Sequence, residues 1–263
     1  MKHKIILLIS TVLLSLSAFA QCPVRNTAFQ SGEHLSYDLY FNWKFIWFKV
    51  GSADMDIKQT KYKGQDAYRA YLITRGSKTA DRYFVLRDTL TTYTTLDIVP
   101  LYFVKNALEG KRYTREKVIY SYGETGTSLD LTYQKNCEPV RHQTVTVDDC
   151  PYDMISMLLK ARSFDGSKFK KGDRIKFLMA EGKHCEEQYI VYRGREKFTN
   201  EYTDETFDCL VFSFVEKDGR KEKDVVTFYV TNDKNHLPVR LDLHLKFGSA
   251  KAFLKSAKGV RNK

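Results

Sequence analysis

Three aromatic residues at alternate positions, Trp43, Phe45 and Trp47, are the feature of this sequence whose types and spacing come nearest to a binding site. If the segment is extended, the period-2 geometry of a strand puts all three on one face and Lys44, Ile46 and Phe48 on the other. Such a ladder can stack on a sugar or line a lipid groove. It can equally pack a core against a helix or a neighbouring strand.

The other chemistry-bearing residues do not assemble into a motif. Cys137, His142, Cys150, His184 and Cys185 contain neither a Cys-x-x-Cys nor a His-x-x-x-His pair, so no metal ligand is assigned. There is no Gly-x-Ser-x-Gly elbow, no phosphate-cradling Gly-rich loop and no dinucleotide fingerprint. The acid pairs Glu186-Glu187 and Asp204-Glu205 point to opposite faces if they lie on strands, which spoils them as a ready-made glycosidase pair. Asp148-Asp149 reads better as a helix cap. No catalytic residue and no cofactor is assigned, and the reading leans towards a non-enzymatic protein, with an envelope hydrolase as the third choice.

What positions the aromatic ladder is a β-rich framework. In Leu237-Pro-Val239-Arg-Leu241-Asp-Leu243-His-Leu245-Lys-Phe247 every odd position is apolar, the pattern of a half-buried antiparallel strand. Leu35, Tyr37, Leu39 and Phe41 repeat it. Further strands are predicted at 50–58, 68–74, 118–122, 129–133, 144–147, 175–179, 188–193, 210–215 and 225–231, mostly separated by turn residues such as Lys63-Gly64 and Asp218-Gly219. One segment departs from this rhythm. Asp148-Asp149-Cys150-Pro151 can start a helix over 151–163 whose apolar face is Met154, Ile155, Met157, Leu158, Leu159 and Ala161. The expectation is a mainly β fold, a large curved antiparallel sheet forming a roll or partly open barrel, with β-rich halves at about 31–147 and 170–257 joined by that helix. The basic tail from Lys251 to Lys263 reads as frayed at its end.

Lys2 and Lys4, the apolar run from Ile5 to Leu16 and the closing Ala18-Phe19-Ala20 have the three regions of a secretory signal peptide over 1–20, followed by a single domain over 21–263. The apolar run is shorter than the roughly 20 residues of a membrane span, so no transmembrane segment is expected after cleavage. The destination is the periplasm or the outer membrane. Lipidation of Cys22 is the lesser alternative, because Phe19, Ala20 and Gln21 before it fit a lipobox poorly.

The chain has 263 residues with 43 Lys+Arg against 32 Asp+Glu, a formal charge of +11. Loss of residues 1–20 removes Lys2 and Lys4 and no acid, leaving +9. That balance favours lipid headgroups, glycolipids or anionic glycans, although dispersed cations also simply solvate strand faces. Nucleic acid is not an expected partner. A composition of 43% hydrophobic and 14% aromatic residues is enough for a large core and excludes a disordered or collagen-like chain. Five cysteines follow the signal segment, and the pairs nearest in sequence, Cys137 with Cys150 and Cys185 with Cys209, are the candidate disulfides.

Gly32-Glu33-His34-Leu35-Ser36-Tyr37 followed by Val50-Gly51-Ser52-Ala53 resembles the opening of a bacterial exported family of unknown function, DUF3108, of the Bacteroidetes cell-envelope type. Gly194-Arg195-Glu196, Thr206–Cys209, Val226–Asp233, Leu237–Arg240 and Phe247–Ala250 resemble its later blocks in the same order, over roughly 31–257. The resemblance implies a cell-envelope protein with a curved, roll-like antiparallel sheet and brings no catalytic residues. The aromatic cluster Trp43–Phe48 departs from the family's usual opening. Two functions are compatible with all this: a concave sheet holding a hydrophobic or amphiphilic ligand such as lipid or glycolipid, or a scaffold whose strand edges bind another envelope protein.

Overall fold

The computed structural model describes residues 22–262 apart from 44–45, 219–220 and 246–247, so the segment read as a signal peptide lies outside the described residues. The first half contributes β1 (Glu33–Trp43), β2 (Ile46–Tyr62), β3 (Gln65–Gly76), β4 (Leu86–Thr94), β5 (Pro100–Glu109), β6 (Arg112–Gly123), β7 (Gly126–Lys135) and β8 (Arg141–Val147). Then come β9 (Pro151–Tyr152), α1 (Met154–Ala161), β10 (Arg174–Ala180), β11 (Cys185–Thr199), β12 (Thr206–Asp218), β13 (Lys221–Thr231), β14 (Pro238–His244) and β15 (Ser249–Lys258). All fifteen strands form one sheet in the order β8 to β1 followed by β15 to β9. The sheet curls almost into a barrel and leaves one seam unsealed, between β8 and the β9–β10 edge.

Period-2 burial builds the interior. On β7, Thr127, Leu129, Leu131 and Tyr133 are buried while Ser128, Asp130 and Thr132 alternate with them. Ala53, Met55 and Ile57 of β2 do the same. The two halves meet where β1 pairs antiparallel with β15, from His34 opposite Lys258 to Asn42 opposite Ser249. The region expected to be a basic tail is therefore a strand in the middle of the sheet. Ala252, Phe253 and Leu254 are all buried, so it lacks the alternation that marks β14. Beyond it, Arg261 donates to the carbonyls of Asn26 and Phe29, and Asn262 is bonded to Asn235, which fastens the terminus instead of fraying it.

The helix is shorter than the predicted 151–163, and its cap is a different acid. Pro151 and Tyr152 pair parallel with β10, and Asp153 is the N-cap, accepting from the Ile155 and Ser156 amides at 3.0 and 2.9 Å. Asp148-Asp149 plays no capping part. The Asp153 carboxylate also takes hydrogen bonds from Ser156 Oγ and, across the interior, from Thr92 Oγ1 at 2.9 Å. An eight-residue helix is marginal alone, so tertiary packing holds it. Ile155 and Leu159 enter the larger core cluster and Met157 enters a second one with Tyr152, Phe177 and Tyr192.

At the C-cap, Arg162 is buried with Glu33 of β1, each side chain 1% exposed. The pair is bidentate, with Nη2 donating to Oε2 at 3.0 Å, and Nε and Nη2 also reach the Asn235 carbonyl. The candidate cysteine pairings are corrected here. Cys150 bonds Cys22, 128 residues away, and Cys137, Cys185 and Cys209 are free thiols. The bond draws the 22–32 segment, with Ala28 and Phe29 fully buried, over the same end of the barrel as the helix. It also occupies the Cys22 sulfur that a lipid thioether would need.

Removing one member of a buried ion pair strands the other charge. Glu33→Gln should lower the unfolding free energy by roughly 3–5 kcal/mol, and the double change Glu33→Leu with Arg162→Met should recover most of the loss. Urea titration followed by circular dichroism measures both.

Candidate functional site

The ladder's three positions fare differently. Phe45 lies outside the described residues, and so does the Trp43 side chain, although the Trp43 backbone ends β1 opposite Ile46. Trp47 is half-buried against the large core cluster. A register shift at Leu39/Tyr40 brings Lys49 opposite Tyr40 and Trp47 opposite Asn42, so Trp47 shares the face opposite that of Leu39 with Tyr40 and Asp38.

On that face the structure collects residues that sequence spacing did not bring together. The Lys251 ammonium lies 4.4 Å over the Trp47 ring. Tyr40 stacks on Tyr202 at 4.3 Å and meets Phe253 edge-on at 5.7 Å. Tyr202 is held in place because Asn200 accepts its amide and donates to the Leu254 carbonyl. Asp38, Asn200, Tyr202, Thr203, Phe253, Leu254 and Lys255 line a half-open recess of about 210 Å³. Burial and the neighbouring Tyr202 push the Tyr40 hydroxyl up to about 12, so it is a neutral donor at ordinary pH. Tyr40 and Phe253 are buried beneath this surface, at 8% and 6% exposure, and what it presents is the half-exposed Tyr202 ring, part of Trp47 and the Lys251 and Lys255 ammoniums, a set suited to stacking and headgroup pairing. In sequence Lys251 reads as part of a basic tail and Tyr202 lies in a loop, so only Tyr40, through its place in the β1 alternation, carries a readable signal.

The interior offers different chemistry. Asp88, Lys105, Glu109, Glu116 and Glu181 influence one another near the β10–β11 turn, where Glu116 accepts the Gly182 amide at 3.1 Å and lies 3.8 Å from Lys105. Burial, then the charge of Glu109, raises the Asp88 carboxyl to about 6, and one of its oxygens has no partner. No group of three metal-binding side chains occurs among the described residues. Burial raises the Cys185 thiol to about 11 and the Cys209 thiol to about 12, so neither is a ready nucleophile at neutral pH.

Because burial raises the folded-state pKa of Asp88 from 3.8 to about 6, ionising it opposes folding. The penalty is absent below pH 3.8, grows up to about pH 6 and is complete above it. Asp88→Asn should therefore stabilise the protein by roughly 1–2 kcal/mol well above that range and hardly at all below it. Denaturant melts at the two pH extremes measure this.

The comparisons with known proteins give fold and family. A crystal structure of a β-barrel-like protein of the domain of unknown function DUF1849 from Brucella abortus superposes with a TM-score of 0.55 at 10% identity, covering 88% of this chain and 99% of that one. A YmcC-like-fold protein from Bacteroides fragilis gives a TM-score of 0.34 at 8% identity over 89% of this chain and 99% of its own. No curated protein matches the sequence. No helix among the described residues is long and apolar enough to cross a membrane. The model of the family described as protein of unknown function, DUF3108, matches residues 36–255, and the chain belongs to that family.

Proposed function

We propose that this protein is exported, is not an enzyme, and binds an amphiphilic envelope ligand, a lipid or glycolipid with an anionic headgroup, on its outer aromatic strip. The helix and core side chains from both halves take up the concave interior beside α1, so the reading turns to the outer face. The observation that carries the reading is the placement of Lys251 over Trp47 on the face that also holds Tyr40 and the Tyr202–Phe253 recess. Ring faces take up apolar or sugar surface, and a nearby ammonium pairs with phosphate or carboxylate. At 210 Å³ the recess is smaller than a pocket that engulfs a drug-sized molecule, which fits a headgroup with its tail lying outside. The +9 balance after loss of residues 1–20 favours the anionic class.

The sequence has two tryptophans, Trp43 and Trp47, both in the β1–β2 hairpin, so intrinsic fluorescence reports on this place alone. Titration with monomeric lysophosphatidylglycerol should give a saturable blue shift. Lys251→Gln should weaken it about three- to tenfold. An unsaturable change, or one equal for lysophosphatidylcholine, contradicts the proposal.

A further inference from the structure

The two ends of the barrel are built differently. One is closed by α1, the disulfide-tethered 22–32 segment and the fastened C-terminus. The opposite end, where β1 turns into β2 and β3 into β4, presents apolar side chains to solvent: Ile46 is 59% exposed, Phe48 50%, Phe84 54% and Tyr83 90%. These four sit on neighbouring tips. β2 runs past its pairing with β3, which starts at Gly51, so Ile46 and Phe48 project beyond the rim. The Ser77 amide donates to the Val50 carbonyl at 2.7 Å and docks the β3–β4 loop against that projection. On the far side the Gly110 amide donates to Val85 at 2.8 Å, and a side chain on Gly110 would lie 3.1 Å from the Phe84 ring, so the β5–β6 turn closes against the loop.

Tyr83 and Phe84 are held out in a fixed conformation. Thr79 is the N-cap of a 3-10 turn over Ala80–Arg82, and Ser77 Oγ, further back, accepts the Ala80 amide at 3.1 Å. The Tyr83 and Phe84 amides both reach the Ala80 carbonyl at 2.9 Å. Asp81 is gripped in bidentate fashion by Arg87, with Nη1 donating to Oδ1 at 2.9 Å. Three hydrogen bonds and a bidentate ion pair thus hold out Tyr83, 90% exposed, and Phe84, which packs one side on the Gly110 turn and leaves the rest in water. Around them Lys78, Arg82 and Lys111 are exposed and form no ion pair among the described residues.

We infer that this end of the barrel is a docking face for an anionic lipid surface, into which Ile46, Phe48, Tyr83 and Phe84 insert while Lys78, Arg82 and Lys111 meet the headgroups. Apolar tips ringed by unneutralised cations match a negative bilayer surface in charge, and a ring with a hydroxyl suits the headgroup layer. Separate convex tips fit a deformable surface better than a rigid protein partner, which requires a continuous complementary patch. The inference shares with the proposed function its envelope setting but uses different residues, so each can fail alone.

Co-sedimentation of the purified, disulfide-bonded protein with vesicles tests it. Phosphatidylcholine vesicles containing phosphatidylglycerol should bind the protein and pure phosphatidylcholine vesicles should bind it at least tenfold less. Tyr83→Ser with Phe84→Ser should reduce partition about tenfold or more, and Arg82→Gln with Lys111→Gln should reduce it by a similar factor and flatten its salt dependence. Both variants should keep the wild-type circular dichroism melt and the lysolipid response of Trp47. Equal partition on neutral and anionic vesicles, or unchanged partition of both folded variants, overturns the inference. Capture of a protein partner through these tips without vesicle binding overturns it too.

Discussion

The buried ion pair between Arg162 and Glu33 is the constraint from which the rest of the arrangement follows. Glu33 opens β1 and Arg162 caps α1, so a single contact ties the start of the sheet to the element that plugs it, and the Asn235 carbonyl adds the β13–β14 turn. Two charges held out of water gain little net free energy over an apolar pair, but a plug displaced from this position would leave both unpaired. The pair thereby fixes one placement of the helix. The Cys22–Cys150 bond constrains the same end from the N-terminal side, and Asp153 anchors the other end of the helix through Thr92.

With the plug fixed, the interior beside α1 is packed core. Ile155 and Leu159 occupy space that an open roll would leave for a lipid. The remaining polar interior, around Asp88 and Glu116, is compact and partly self-neutralised by Lys105. What stays accessible is Tyr202 and part of Trp47 on the outer strip, and the rim away from the helix with Tyr83 and Phe84. Both depend on β1 and β2, the strands that the ion pair and the β1–β15 ladder hold in register.

The fold class was legible in the sequence because β1, β2, β7 and β14 alternate apolar and polar residues over a half-buried sheet. β4 escaped notice because its inward positions are Asp88, Leu90, Thr92 and Thr94, a mixed set whose threonines are buried, Thr92 as a donor to Asp153. β15 escaped because it is buried on both faces, and its lysines resembled a solvated tail. The helix is legible but its start is not, since Asp148-Asp149 and Asp153 are equally good caps by residue type and the β9–β10 pairing decides between them. The disulfide was out of reach: proximity in sequence favoured Cys137 as the partner of Cys150, whereas the bond spans 128 residues. The family resemblance over the later blocks was sound, as the match over 36–255 shows. Of the aromatic ladder, only the Trp47 side chain lies among the described residues, and the cation above it comes from the strand that the sequence hid.

The central claim is that this protein meets amphiphiles with its outer surface at the β1–β2 hairpin and not with its interior. Tryptophan quenching by lipids brominated along the acyl chain, in vesicles containing phosphatidylglycerol, tests it most directly because both tryptophans lie in that hairpin. The account predicts quenching that is strongest for bromines nearest the headgroup. Co-sedimentation with the same vesicles but no quenching at any bromine depth would contradict it.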